Sequence, residues 1–202
     1  MHSTEPRIGR NAEQTYEDPQ RASLIETASR SIAHGLEHGS PLTVEPDDYP
    51  EPLREPRATF VTLHIARDLR GCIGVLEPRR PLVVDVAQNA FAAAFEDPRF
   101  PRLRKQEFGR LAIQISVLSP AEPIDFQSET ELLNRIRPGR DGLILRAGRH
   151  RGTFLPSVWE QIPDPTEFLE HLKRKAGLPF GYWSADIEIL RYTTESFGST
   201  SV

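Results

Sequence analysis

The stretch FVTLHIARDLRGCIGVL, residues 60–76, decides the fold class. Val61, Leu63 and Ile65 alternate with Phe60, Thr62 and His64, the period of a half-buried strand. After Ala66, Arg67 and Asp68 the alternation resumes through Leu69, Ile73 and Val75. Two alternating runs with a short polar break between them read as an antiparallel hairpin. A three-residue loop at 66–68 sets Ile65 opposite Leu69 and Val61 opposite Ile73. All six apolar side chains then share one face, and a one-residue slip would mix the faces. The other face carries Phe60, Thr62, His64, Arg70, Cys72 and Gly74, with Thr62 opposite Cys72 and His64 opposite Arg70.

Working outward, Leu24, Ile25, Ala28, Ile32 and Leu36 recur at helical spacing, and Gly39 follows as a stop. Residues 1–19 lack periodicity and are expected to be a disordered tail. Five prolines in residues 41–57 imply an extended connector. A helix over 81–96 presents Val84, Ala87, Phe91, Ala94 and Phe95 as one stripe, and Pro98 limits it. Residues 111–119 read as a strand, 128–136 as a short helix, and 142–155 as a second hairpin turning near Gly148. Asp164 caps a further helix that Pro165 opens and Gly177 ends, and 185–193 is a closing strand. Two hairpins among helices favour α+β over a doubly wound sheet.

The 202 residues carry 25 Lys and Arg against 29 Asp and Glu, a net charge of −4 that argues against a nucleic-acid binder. Arg99, Arg102, Arg104 and Lys105 form a basic cluster, but no aromatic ladder accompanies them. The single cysteine excludes an internal disulfide and suits a reducing, cytoplasmic setting. With so polar an N-terminus no secretion signal is expected, and no apolar run reaches membrane-spanning length. His34 and His38 stand four apart without a third ligand, so no metal is expected. The absence of a P-loop and of GxGxxG leaves no cofactor to expect either.

Chemistry concentrates around Cys72. Arg70 would raise the thiolate fraction of a neighbouring thiol, and His64 is a candidate base. Gly71 and Gly74 would let a ligand approach the backbone, and N–H groups from Gly71 to Ile73 could hold an anion. Arg99, between Pro98 and Phe100, has the rigid setting of an anion clamp. Against this, buried free cysteines are commonly inert, and strand glycines often mark tight packing against a helix.

Several stretches together resemble the AMMECR domain family: FVTLH leading into LRGCIG (60–74), FEDPRF (95–100), ISVLSP (115–120), GRDGLIL (139–145), RGTFLP (151–156) and FLEHLKRKAGL (168–178). They cover most of residues 20–195, leaving 196–202 as a C-terminal tail. The resemblance implies two tightly packed subdomains on antiparallel β-sheets flanked by helices, with a cleft near LRGCIG. It carries no established reaction. It implies candidate site residues Arg70, Gly71, Cys72, Ile73, Gly74, Asp97, Arg99, Gly152 and Thr153. The residue after VTL is often short and polar or a lysine in relatives, where this chain has His64. Related proteins are associated with a Memo-like protein, similar to extradiol dioxygenases, and with a radical SAM protein.

Two functions follow as expectations. One is an enzyme with Cys72 as nucleophile and Arg70 and Arg99 anchoring a small anionic substrate. The other is a non-catalytic adaptor working with the Memo-like and radical SAM partners, with neither nucleic acid nor membrane as a partner.

Overall fold

Both hairpins form, and each organises its own sheet. A computed structural model describes residues 15–199. In chain order they form α1 (Asp18–His38), α2 (Glu51–Arg54), β1 (Thr59–Ile65), β2 (Asp68–Gly74), α3 (Leu82–Phe95), α4 (Lys105–Phe108) and β3 (Leu111–Leu118). Then come β4 (Glu122–Pro123), α5 (Glu129–Arg135), β5 (Gly142–Ala147), β6 (His150–Phe154), α6 (Pro165–Lys175), β7 (Ile187–Tyr192) and β8 (Thr194–Gly198). The fold is α+β. One sheet has the order β2-β1-β3-β8 and the other β4-β7-β5-β6.

The chain divides into two units, one reaching Ser116 and resuming at Glu195, the other spanning Val117–Thr194. In the first, α3 packs against α1 and against β1 and β2. Leu82, Val83, Val86, Ala87 and Ala90 of α3 are fully buried, as are Leu24, Ala28 and Ile32 of α1. Each large apolar side chain buried this way contributes about 1.5–3 kcal/mol before entropy is charged against it. Ser31 Oγ ties the helices by donating to Ala87 C=O at 2.7 Å. In the second unit, Leu132, Leu143, Leu145, Phe168, Leu172 and Ile189 form the core. Trp159 stacks on Phe168 with centroids 3.6 Å apart. Asp164 caps α6 by accepting from the N–H groups of Thr166 and Glu167.

The first hairpin departs from its expected register near the turn. Val61 opposes Ile73 and Thr62 opposes Cys72, as the alternation predicts. Beyond Leu63↔Gly71, however, His64 opposes Leu69 and Ile65 opposes Asp68. Arg70 is therefore the extra residue of a β-bulge, and the loop holds two residues, Ala66 and Arg67, rather than three. The bulge moves Leu69 off the apolar face, leaving it 39% exposed, while Arg70 becomes buried at 9%. His64 does not face Arg70. Apolar alternation could not reveal this, because a bulge changes register without changing composition.

Three further expectations change. Residues 15–19 are not a loose tail: Tyr16 is buried, and Thr15 N–H donates to Glu195 at 2.7 Å. The expected disorder of 1–14 lies outside the described residues. Residues 194–198 form β8 instead of a C-terminal tail. The proline-rich connector contains a 3₁₀ turn at Pro46–Asp48 and the one-turn α2, each opened by proline.

Ala66, at φ 56°, is the one non-glycine residue with positive φ among the described residues. The left-handed region costs an L-residue about 1–2 kcal/mol, while glycine there gives back about 0.5–1 kcal/mol through its freer unfolded chain. Ala66→Gly is therefore expected to stabilise the protein by roughly 0.5–1 kcal/mol in a urea titration. A loss of stability would contradict the turn geometry.

Candidate functional site

β2 is an edge strand of its sheet, and edge strands present unpaired N–H and C=O groups. At Cys72 both groups are taken by side chains from the loop after α3. Its N–H donates to Asp97 Oδ2 at 2.8 Å, and its C=O accepts from Arg99 Nη2 at 3.1 Å. Asp97 and Arg99 are joined to each other by Nε–Oδ1 at 2.9 Å and Nη2–Oδ2 at 2.7 Å. Arg99 N–H also donates to Asp97 Oδ1 at 3.1 Å. This bidentate pair occupies the place of a neighbouring strand. Pro98 and Pro101 stiffen the loop that carries it, and Leu103 N–H returns to Ala94 C=O at 2.8 Å.

The glycines of LRGCIG serve packing. A Cβ on Gly71 would lie 2.1 Å from Ala93 C=O oxygen, so only glycine lets β2 approach α3 this closely. A Cβ on Gly74 would lie 2.4 Å from both the Phe60 ring and the Thr59 carbonyl oxygen. The space expected for a ligand at both positions is filled by protein. Arg70, expected beside the thiol, instead grips Glu107 of α4, with Nε–Oε1 at 2.8 Å and Nη2–Oε2 at 3.1 Å. Glu107 Oε2 also accepts from Arg104 N–H, which closes the turn that starts α4.

Cys72 itself is half-buried, and its Sγ lies 3.2 Å from Thr62 Oγ1. His64 is half-buried and borders a hollow of about 310 Å³ with Ile113, Gln114 and Phe197, so the thiol's hydrogen-bond partner is Thr62 and not His64. Ile73 is half-buried opposite Val61. Gly152 and Thr153 belong to the second unit. There Gly152 admits α6, a Cβ meeting Leu172 C=O oxygen at 2.9 Å, and Thr153 Oγ1 donates to Leu143 C=O at 2.9 Å. Among the described residues no group of three His, Cys, Asp or Glu could hold a metal. No helix among them is long and apolar enough to cross a membrane.

The family model AMMECR1 matches residues 25–197. The chain belongs to the AMMECR1 family. Protein MJ0810 of Methanocaldococcus jannaschii is 39% identical over 173 residues, which are 84% of this chain and 85% of that protein. A protein of Thermococcus gammatolerans is 40% identical over 181 residues, 86% of this chain and 87% of that one. The crystal structure of an uncharacterized protein, PH0010 from Pyrococcus horikoshii, matches with a TM-score of 0.78 at 36% identity, covering 88% of this chain and 90% of that one.

In this AMMECR1-family chain the clamp is electrostatically strong. The Arg99 guanidinium, helped by the N–H groups of Cys72 and Arg99, holds the Asp97 carboxyl far below the usual carboxylate range, against the opposing effect of burial. Arg70 lowers Glu107 in the same way. A second buried polar group was not anticipated. Asp85 Oδ2 accepts from Thr59 N–H at 3.1 Å, Thr59 Oγ1 at 2.7 Å and Asn89 Nδ2 at 2.8 Å, which fastens α3 to β1. Burial raises the Asp85 carboxyl. Its signal in the sequence is two polar residues four apart, interrupting the apolar stripe of a helix. Arg80 Nη2 stands 3.2 Å from Asp85 Oδ1, whereas Arg70 Nη1 is buried without a hydrogen-bond partner among the described residues.

A carboxylate with a depressed folded pKa contributes stability that is complete above its unfolded value and lost as pH falls. For Asp97 the loss begins near pH 4, the ordinary aspartate value of about 3.9. Asp97→Asn places an amide against four N–H donors and is expected to destabilise by roughly 1–3 kcal/mol at pH 7. It should also flatten the fall in the urea midpoint below pH 4. An unchanged acid limb would remove Asp97 from the account.

Proposed function

We propose that this AMMECR1-family protein is a non-catalytic binding module, with LRGCIG and DPRF forming a structural clamp and not a thiol active site. One observation carries this reading: the N–H and C=O of Cys72 are both held by Asp97 and Arg99. An oxyanion site needs donors aimed at an empty position, and here the central donor is engaged. Arg70, the cation expected to activate the thiol, is engaged by Glu107. Arg99 is paired with Asp97, and its side chain as a whole is 55% exposed. The partners proposed from the family resemblance are a Memo-like protein and a radical SAM protein, met in a cytoplasmic setting.

A small anionic ligand keeps one observation in its favour, the unpartnered Arg70 Nη1. Movement of the Arg70 guanidinium NMR signals on adding phosphate would support that reading, and unmoved signals would remove it.

Cys72→Ser separates module from enzyme. The serine keeps a hydroxyl for Thr62 and leaves the backbone clamp untouched. The variant is expected to complement a strain lacking the gene as well as the unaltered protein does. Loss of complementation by a variant that folds normally would sink the module reading and restore Cys72 as a reacting group.

A further inference from the structure

Phe180 is 82% exposed, while the other exposed large apolar side chain among the described residues, Leu69, is at 39%. The ring stands at the corner of a tight turn. Tyr182 N–H donates to Pro179 C=O at 3.2 Å, and Gly181 has φ 68°. A positive φ at the third position marks a type II turn, with Phe180 at its first corner. Gly181 N–H donates to Glu170 Oε2 at 2.9 Å, so α6 holds the turn in place. Glu170 is itself fixed at 2.6 Å by Lys173, which is fully buried. An apolar ring carried on a braced turn has little ordering cost on binding.

Cations gather at the base of this turn. α6 ends in Arg174 and Lys175, both exposed, and Phe180 follows Gly177 by three residues, at most about 11 Å of chain. The tip of the β5–β6 hairpin arrives at the same place. His150 Nδ1 lies 3.1 Å from Ala176 C=O oxygen, and a Cβ on Gly177 would lie 3.4 Å from the same nitrogen. Arg149, beside His150, is exposed at that tip. Lys175 Nζ lies 4.9 Å from the ring centre of Phe154 in β6. Arg149 and Arg174 make no ion pair among the described residues, whereas Arg70, Arg99 and Arg137 each grip a carboxylate. The helix dipole accounts for cations in the last turn of α6. It accounts neither for Arg149 nor for a bare ring next to them.

We propose that this corner of the second unit docks an acidic segment of a partner protein, with Phe180 packing against an apolar side chain of that segment and Arg149, Arg174 and Lys175 pairing with its carboxylates. Arginine forks match carboxylates bidentately. Arginine and aromatic side chains are also the types enriched where proteins meet. A lone ring buries too little apolar surface to hold a membrane, and a nucleic-acid strand asks for several stacked rings. The proposal rests on the reading of the protein as a binding module and names the chemistry of its partner. All the residues involved lie in the second unit, apart from Cys72.

The test is a display selection of random dodecapeptides against the full chain, followed by anisotropy titration of fluorescein-labelled peptides that are recovered. Recovered peptides are expected to set an apolar residue among Asp and Glu. Phe180→Ala, and separately Arg149→Gln with Arg174→Gln, change exposed side chains and should keep the urea midpoint. Each should weaken peptide binding about tenfold or more, as loss of an aromatic anchor or of complementary charge does. Cys72→Ser should bind the peptide as the unaltered protein does. Oligothymidine and phosphatidylserine vesicles, titrated in the same way, should bind more weakly than the peptide. Failure to recover any peptide, peptides without acidic bias, binding that survives either variant, or tighter binding of the oligonucleotide or the vesicles would each overturn the proposal. Peptide binding that persists while Cys72→Ser fails to complement would remove the module reading and leave this surface standing.

Discussion

The carboxylate of Asp97 accepts four N–H donors, from Cys72, from Arg99 main chain and from two positions on the Arg99 guanidinium. The arrangement of the first unit depends on it. An edge strand left open invites pairing with any extended chain. Here an Asp-x-Arg pair closes the edge at Cys72 with side chains, so no further strand is needed. For that, the loop must start where α3 ends, and α3 must lie against β2. Gly71 permits the contact with Ala93, and Asp85 with Asn89 fastens the same helix to Thr59 of β1. The bulge at Arg70 sends that side chain to Glu107, which fixes α4 behind the loop. Motif residues that look like a catalytic set are connected members of one closure.

The second unit supplies the contrast. Gly152 lets α6 settle on β6, so that end of its sheet is covered by a helix. The other end is covered for two residues only, and an acidic, aromatic groove follows. The same architecture is found, at a TM-score of 0.78, in the uncharacterized protein PH0010 from Pyrococcus horikoshii.

Much of the fold was legible in the residues. Alternation placed both hairpins and the Thr62–Cys72 pairing, and Asp164, Pro165 and Gly177 marked α6 at both ends. What escaped was non-local. A bulge leaves composition unchanged, so Leu69 and Arg70 exchanged faces unseen. β8 is short and polar, and it exists because β3 offers it an edge. The candidate site was legible as a set of residues: Arg70, Cys72, Asp97 and Arg99 do gather in the first unit. Their pairing was not. Glu107 carries no motif, and nothing in LRGCIG says that Arg70 will meet it 37 residues on. Glycine beside cysteine permits either a ligand or a helix, and only the approach of Ala93 decides between them.

The most direct test of the clamp is native-state hydrogen exchange at the Cys72 amide. Its N–H faces the outside of an edge strand, so no neighbouring strand protects it. If Asp97 holds it, the amide exchanges only with unfolding of the whole unit, and Asp97→Asn makes it exchange by local opening. An amide in the unaltered protein that exchanges as fast as an exposed loop would contradict the account and return Cys72 N–H to the reach of a ligand.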